Sequence, residues 1–392
     1  MDRSTETELF LVTSISYTSM LAYKCMNIQN SLALELIFWI LPQYIAICYP
    51  DWIVYLYIML ICIIFLKRKN LFVKYKEEPI KNYYPILDSY RAYLMLMVVI
   101  SIFAVDFNFY PERFKKSSFF GLTLMDVGIG SFLFNSGAMS VKMSRIKLIF
   151  NSLIMIGLGF VRLFTILYFN YTVDITEYGY HMNFYFILGA VYFIYGIIRS
   201  KYNFKIALLL TVIYEYFLRV KNQDVFIFSE YRNSLFLKNK EGIYSILPSL
   251  TIFMFSSEFG NIGFSKDSNK EKYMKILGMS CMFLFIYYIS NGYMIASRRL
   301  GNLTYVSWIV GLHSLHLFLS LTVTAFVSFK PLRLHVWVSK NMLTLFLFSN
   351  ILVLIGNLLF DWKKINEMLG NIVNISYIFI SIIIPYIFTK NK

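Results

Sequence analysis

Apolar runs close to the length needed to cross a bilayer recur along almost the whole chain. Thirteen stand out, with approximate cores at 8–26, 32–48, 52–66, 90–107, 121–140, 146–168, 182–198, 203–219, 243–264, 275–296, 304–328, 341–360 and 370–388. Crossing about 30 Å of hydrocarbon takes roughly 20 helical residues at about 1.5 Å each, so each run predicts a helix. The third run is short, the fifth is rich in glycine, and the eighth and ninth carry Glu215 and Glu258. No repeat of 20 to 50 residues and no Ser/Gly-rich linker interrupts the series. The expected fold is all-α: a polytopic integral membrane protein with about 13 transmembrane helices in one bundle, a single domain over residues 1–392.

Composition supports that class. Of 392 residues, 58% are hydrophobic and 15% charged, whereas soluble chains carry roughly 25% charge and 45–50% apolar residues. The net charge of +15 needs no nucleic-acid partner, because basic residues collect in the cytosolic loops of membrane proteins. Thirteen spans put the termini on opposite sides. With the N-terminus away from the cytosol, 23 of the 37 Lys and Arg fall on the cytosolic side and 13 on the other, with Arg162 left inside the membrane. The expectation is therefore a lumenal N-terminus and a cytosolic C-terminus. The acidic start MDRSTETE, and Lys24 after the first run without a small-residue cleavage pattern, read as a retained span and not a signal peptide. Cys25, Cys48, Cys62 and Cys281 form no CxxC pair and read as small apolar packers.

Ionisable groups inside spans cost several kcal/mol unless they face protein or water, so they are where function is sought. Asp106 ends the fourth run, and Pro111 in NFYPERFKKSSFF forces a turn after it. An unbroken helix would separate Asp106 from Lys116, ten residues on, by about 15 Å, whereas a turn can bring the ammonium back toward the carboxylate. Such a pair suits general-base attack by an alcohol with the cation stabilising negative charge. The plainer alternatives are an interfacial carboxylate, with Arg113, Lys115 and Lys116 contacting lipid head groups. Asp126 lies in GLTLMDVGIGSFLFNSG among four glycines, with Asn135 on the same segment; the stretch serves helix packing or borders a cavity. Arg162 needs a carboxylate such as Asp106, Asp126 or Glu258, or else a phosphate. Glu177, His181 and Asn183 stand at the mouth of the seventh run, where His181 is a candidate base. Arg298 and Arg299, just before Asn302, suit a head-group phosphate or plain anchoring. His313 and His316 share a helical side without a nearby carboxylate, so no metal is expected. A P-loop, GxGxxG, HExxH and GxSxG are absent, so nucleotide hydrolysis, zinc proteolysis and hydrolase chemistry lack their usual signatures.

Read in order, AVDFNFYPERFKK (104–116), GLTLMDVGIGSFLFNSG (121–137), EYGYHMNFYFILG (177–189), NKEGIYSILP (239–248) and SRRLGNLTYVSW (297–308) resemble the inositol acyltransferases of glycosylphosphatidylinositol (GPI) anchor synthesis. The resemblance covers residues 90–310, where the active-site cavity is then expected. It implies a membrane-bound O-acyltransferase of the endoplasmic reticulum. Such an enzyme transfers a fatty acyl group, usually palmitoyl, from acyl-CoA to the inositol 2-hydroxyl of glucosaminyl-phosphatidylinositol. No cofactor is implied beyond acyl-CoA as co-substrate, and the partners are these two substrates and membrane lipid. The family's catalytic aspartate and lysine fall on Asp106 and Lys116. Arg113, Asp126, Asn135, Arg162, Glu177, His181, Asn183, Arg298, Arg299 and Asn302 are the expected substrate-binding residues. Glu112 stands where the family usually has a basic residue, and His313 with Ser314 where it has Asn and Thr. The competing class is a polytopic lipid or small-molecule transporter, whose paired broken helices are not seen.

Overall fold

The computed structural model describes residues 5–26, 32–72, 83–169, 174–326 and 333–389. Arg3, Lys74, Lys76, Lys81, Lys330, Lys390 and Lys392, which enter the charge tally, lie outside them. Among the described residues the chain is helical throughout. Its longer helices are α1 (Glu6–Met26), α2 (Leu32–Cys48), α3 (Ile53–Leu66), α4 (Pro85–Ala104), α5 (Leu124–Ser140), α6 (Arg145–Phe169) and α7 (Phe184–Ile198). They continue as α8 (Asn203–Val220), α9 (Lys240–Phe264), α10 (Asn269–Asn291), α11 (Leu303–Phe326), α12 (Met342–Leu359) and α13 (Glu367–Thr389). Each coincides with one of the thirteen apolar runs.

Fewer of them qualify as spans. Among the described residues six helices, α4, α6, α10, α11, α12 and α13, are long and apolar enough to cross a membrane. The pair α2 and α3, bent by 117°, makes up to seven. The protein is thus a multi-pass membrane protein, with fewer apolar spans than the thirteen expected. Part of the reason is length: α5 and α7 have 17 and 15 residues, short of a full crossing. In α1 and α9 buried Ser, Thr and charged residues that pack against protein interrupt the apolar run.

By internal packing the chain divides into two compact units, residues 1–115 with 316–392, and residues 116–315. In the first, α4 is the core helix, flanked by α1, α2, α12, α13 and the short helix Arg333–Lys340. It opens on Pro85, whose missing N–H costs nothing at a first helical position. The Asp88 carboxylate accepts from the Tyr84 N–H at 2.6 Å and from Arg91 at 2.9 Å. At its end the Asp106 and Phe107 amides donate to the Phe103 and Ala104 carbonyls at 3.1 Å each, tightening the last turn. Pro111 then starts a single 3-10 turn, Glu112–Phe114, so the chain turns where the sequence predicts.

In the second unit α5 and α9 meet backbone to backbone. A methyl at Gly137 would fall on the Phe253 carbonyl, and one at Gly260 on the Ala138 carbonyl. Close approach of this kind is what small residues permit between helices. The α6–α7 pair is built the same way: a methyl at Gly159 would lie 2.7 Å from the Phe186 ring, and the Ser152 hydroxyl donates to the Gly189 carbonyl at 2.7 Å.

Candidate active site

The loop SRRLGN between α10 and α11 is held in place from three directions. Asn302 accepts from the Ser297 and Tyr305 amides at 3.1 Å each and donates to the Ile295 carbonyl at 2.9 Å, capping α11. Gly301 adopts φ +60° against Pro248, where a methyl would collide with the proline ring. The Gly121 amide donates to the Ala296 carbonyl at 2.8 Å, and the Ser297 hydroxyl to the Phe119 carbonyl. This scaffold presents Arg298 and Arg299 to a narrow cleft of about 20 Å3, room for about one water. Glu177, Tyr178 and Tyr305 are among its polar lining residues, and Ile129, Leu133 and Ile252 among its apolar ones. The lining is therefore mixed polar and apolar and includes two buried cations.

Arg298 is paired with the fully buried Asp126 at 2.7 Å. Asp126 also accepts from the Thr123 hydroxyl at 2.9 Å and the Ser117 amide at 3.1 Å, and Tyr305 donates to its carbonyl at 2.8 Å. Burial works against the Arg298 charge, but Asp126 and Glu177 beside it overcome that and hold its pKa above the ordinary arginine value. Arg299 differs: burial moves its pKa down, although Glu241 opposes this. Lys116 pairs with Glu177, so the lysine expected to be catalytic is tied to a residue of the cleft lining.

In the first unit, Asp106 is half-buried just past α4 and accepts from the Asn357 amide at 3.0 Å. The Asn357 carbonyl accepts from the Trp362 indole at 2.7 Å, which fixes the orientation of the amide. Burial pushes the Asp106 carboxyl up from its ordinary value, and Asn357, Lys363 and Lys115 pull it partly back. The aromatic wall around this turn is Phe103, Phe107, Trp362 and Tyr377. Arg113 bonds to Glu8 at 2.9 Å and Asp51 at 3.1 Å, within the same unit.

A sequence model of the GWT1 family matches residues 2–388. The chain belongs to the GWT1 family. Among its relatives, GPI-anchored wall transfer protein 1 of Schizosaccharomyces pombe is 29% identical over 317 residues, covering 74% of this chain and 69% of that protein. The protein of the same name from Debaryomyces hansenii is 32% identical over 286 residues, 59% of this chain and 58% of its own length. An uncharacterized protein of Arabidopsis thaliana is 26% identical over 357 residues, 86% and 81% of the two chains. The family match agrees with the resemblance read from the five motif blocks.

Other residues singled out in this GWT1-family sequence have mainly scaffolding contacts. Asn183 caps α7 and donates to the Gly159 carbonyl at 3.0 Å. The Asn239 carbonyl accepts from the His181 and Met182 amides at 2.8 and 3.1 Å, and the Asn239 amide nitrogen lies 3.2 Å from His181 Nδ1. Asn135 is buried in α5. Arg162 is exposed on α6; of the carboxylates considered for it in its own unit, Asp126 is taken by Arg298 and Glu258 accepts from Asn261 at 3.2 Å. The two histidines of α11 have separate hydroxyl partners, His313 with Ser131 at 2.9 Å and His316 with Thr13 at 3.0 Å.

Sequence reasoning gave no role to Arg232, nor to Asn239, Lys240 and Glu241 of the NKEGIYSILP block. Glu241 is fully buried, bonded by Arg232 at 3.0 Å, and lies 3.9 Å from Arg299. Lys240, also fully buried, donates to the Phe226 carbonyl at 2.9 Å and to the Ser229 carbonyl and hydroxyl at 2.6 Å each. The clue was available: a Lys-Glu doublet at the head of an apolar run, in a chain with few charges.

Proposed function

We propose that this protein is a membrane-bound O-acyltransferase of GPI-anchor synthesis. It moves a fatty acyl group, palmitoyl being the usual one in such enzymes, from acyl-CoA to the inositol 2-hydroxyl of glucosaminyl-phosphatidylinositol in the endoplasmic reticulum membrane. The observation that carries this reading is the cleft of the second unit. Its buried Arg298 and Arg299, set against aliphatic walls, complement a substrate that is anionic at one end and apolar at the other. Membership of the GWT1 family, and relatives named for GPI-anchored wall transfer, support the substrate class.

In this reading Asp106 takes the proton of the inositol hydroxyl as its oxygen attacks the thioester carbon. Lys116 stabilises the resulting oxyanion. The carbon–sulfur bond then breaks, the new ester carbonyl forms, and the proton passes to the departing CoA thiolate. No acyl-enzyme and no cofactor take part. Asp106 and Lys116 belong to different compact units, and each is placed by its own surroundings: Asn357 donates to the carboxylate, and Glu177 pairs with the lysine beside the cleft. The N-terminus is lumenal and the C-terminus cytosolic.

The test is transfer from labelled palmitoyl-CoA to glucosaminyl-phosphatidylinositol by the purified protein in detergent. Wild type acylates the lipid, while Asp106→Ala and Lys116→Ala of matched folding do not. Unchanged turnover in either variant refutes its assigned role, and a wild type that binds the lipid without acylating it refutes the reaction. Orientation is checked with glycosylation acceptors appended to each terminus, of which only the N-terminal one should be modified.

A further inference from the structure

The cleft of the second unit contains hydrogen-bond donors that have no acceptor. Arg299 donates through Nη1 to the Ser118 carbonyl at 2.8 Å, but its Nη2 is 3.9 Å from Glu241, too far for a hydrogen bond. Its Nε is buried with no partner. The guanidinium lies over the Phe119 and Phe228 rings, at 5.2 and 5.0 Å, and is held in place. The buried Tyr178 hydroxyl has Arg298 as its polar neighbour, whose guanidinium can donate to the phenolic oxygen. Arginine can only donate, so that neighbour offers the tyrosine O–H no acceptor. Charge points the same way. Arg298 is paired with Asp126 at 2.7 Å, whereas the Glu241 near Arg299 is engaged by Arg232, so Arg299 is the less well compensated of the two cleft arginines.

Orphaned donors around an under-compensated arginine describe an anion site awaiting its ligand. We propose that Arg299 and Tyr178, with Arg298 beside them, bind the phosphate of a phospholipid or acyl-CoA substrate. A phosphate supplies several acceptor oxygens and negative charge at once, which a neutral ester or thioester carbonyl does not. Glu241 acts as the placeholder: it keeps Arg299 oriented while remaining too distant to compete for its donors. This deepens the acyl-transfer reading, on which the choice of phosphatidylinositol and coenzyme A as probes rests, since both carry phosphate.

The experiment measures equilibrium binding of short-chain phosphatidylinositol, of the matching diacylglycerol and of coenzyme A to the purified full-length protein in detergent. Parent, Arg299→Gln and Tyr178→Phe are compared. Tyr178→Phe removes one oxygen and leaves the packing intact, so it answers even where Arg299→Gln fails to fold. The expected result is about tenfold or greater loss of phosphatidylinositol affinity in Arg299→Gln and about two- to tenfold in Tyr178→Phe, with diacylglycerol binding unchanged. The same losses for coenzyme A alone support the phosphate site and assign it to the acyl donor. Parent-like affinity of both variants for both phosphate ligands overturns the proposal. Binding is read without turnover, so a protein that binds through Arg299 but never acylates refutes the reaction and keeps the site. One that acylates with Arg299-independent binding does the reverse.

Discussion

Asn357→Leu tests the chemistry of Asp106 without touching the carboxylate. In the parent, the Trp362 indole donates to the Asn357 carbonyl at 2.7 Å, which leaves the amide nitrogen facing Asp106 at 3.0 Å. A hydrogen bond to a charged acceptor contributes about 1.5–3 kcal/mol, and about 1.4 kcal/mol is tenfold in an equilibrium. Removing this donor therefore lowers the carboxylate fraction on the acidic limb by about 10- to 150-fold. Burial already holds the Asp106 pKa above its ordinary value, and Asn357 is the first of the groups that pull it back. The variant's acidic limb of kcat/KM must therefore move to higher pH, while the plateau above it is retained. Trp362→Phe, which only frees the amide to rotate, should move the limb less and in the same direction. The assay is the pH profile of acyl transfer, with thermal melting in detergent as the control for folding. A folded Asn357→Leu protein whose acidic limb overlays the parent's refutes both the geometry and the role of Asp106 as base.

Asp106→Asn should be inactive yet no less stable than the parent at pH 7. A carboxyl whose folded-state pKa is raised contributes stability below its unfolded pKa and loses it as pH rises through the folded one. Lower melting temperatures for the variant at neutral pH would contradict this. Asp126→Leu should be destabilised by about 3–5 kcal/mol because it strands Arg298 in the interior, and adding Arg298→Met should recover most of that loss; additive losses in denaturant titrations argue against the pair. Gly137→Ala should cost about 1–3 kcal/mol or more by forcing α5 off α9, whereas Gly128→Ala, which meets nothing within 4 Å, should be neutral. Equal melting temperatures for the two glycine variants would refute the close helix contact. Glu177→Gln should weaken turnover by releasing Lys116 without unfolding the protein, and an unchanged kcat would separate that pair from catalysis.

The thirteen helical stretches, the turn at Pro111 and the short inventory of charges worth explaining are all legible in the residue order. Helix length and apolar runs are local properties, and proline acts on its own backbone. The motif blocks likewise carried the family. What the residue order does not contain is which helix meets lipid. On α5 and α9 both faces are covered by protein, so polarity there follows the neighbours and not the bilayer. Pairing is equally hidden. Asp126 meets Arg298 across 172 positions and Asp106 meets Asn357 across 251, and neither contact leaves a mark in the spacing of its own segment. Glu241, though inside the NKEGIYSILP block, was given no role in sequence because its partners come from separate loops. Arg162, expected to need a carboxylate, is exposed on α6. A buried charge takes whichever counter-charge the packing of distant helices brings within reach, and that choice is made only when the chain is folded.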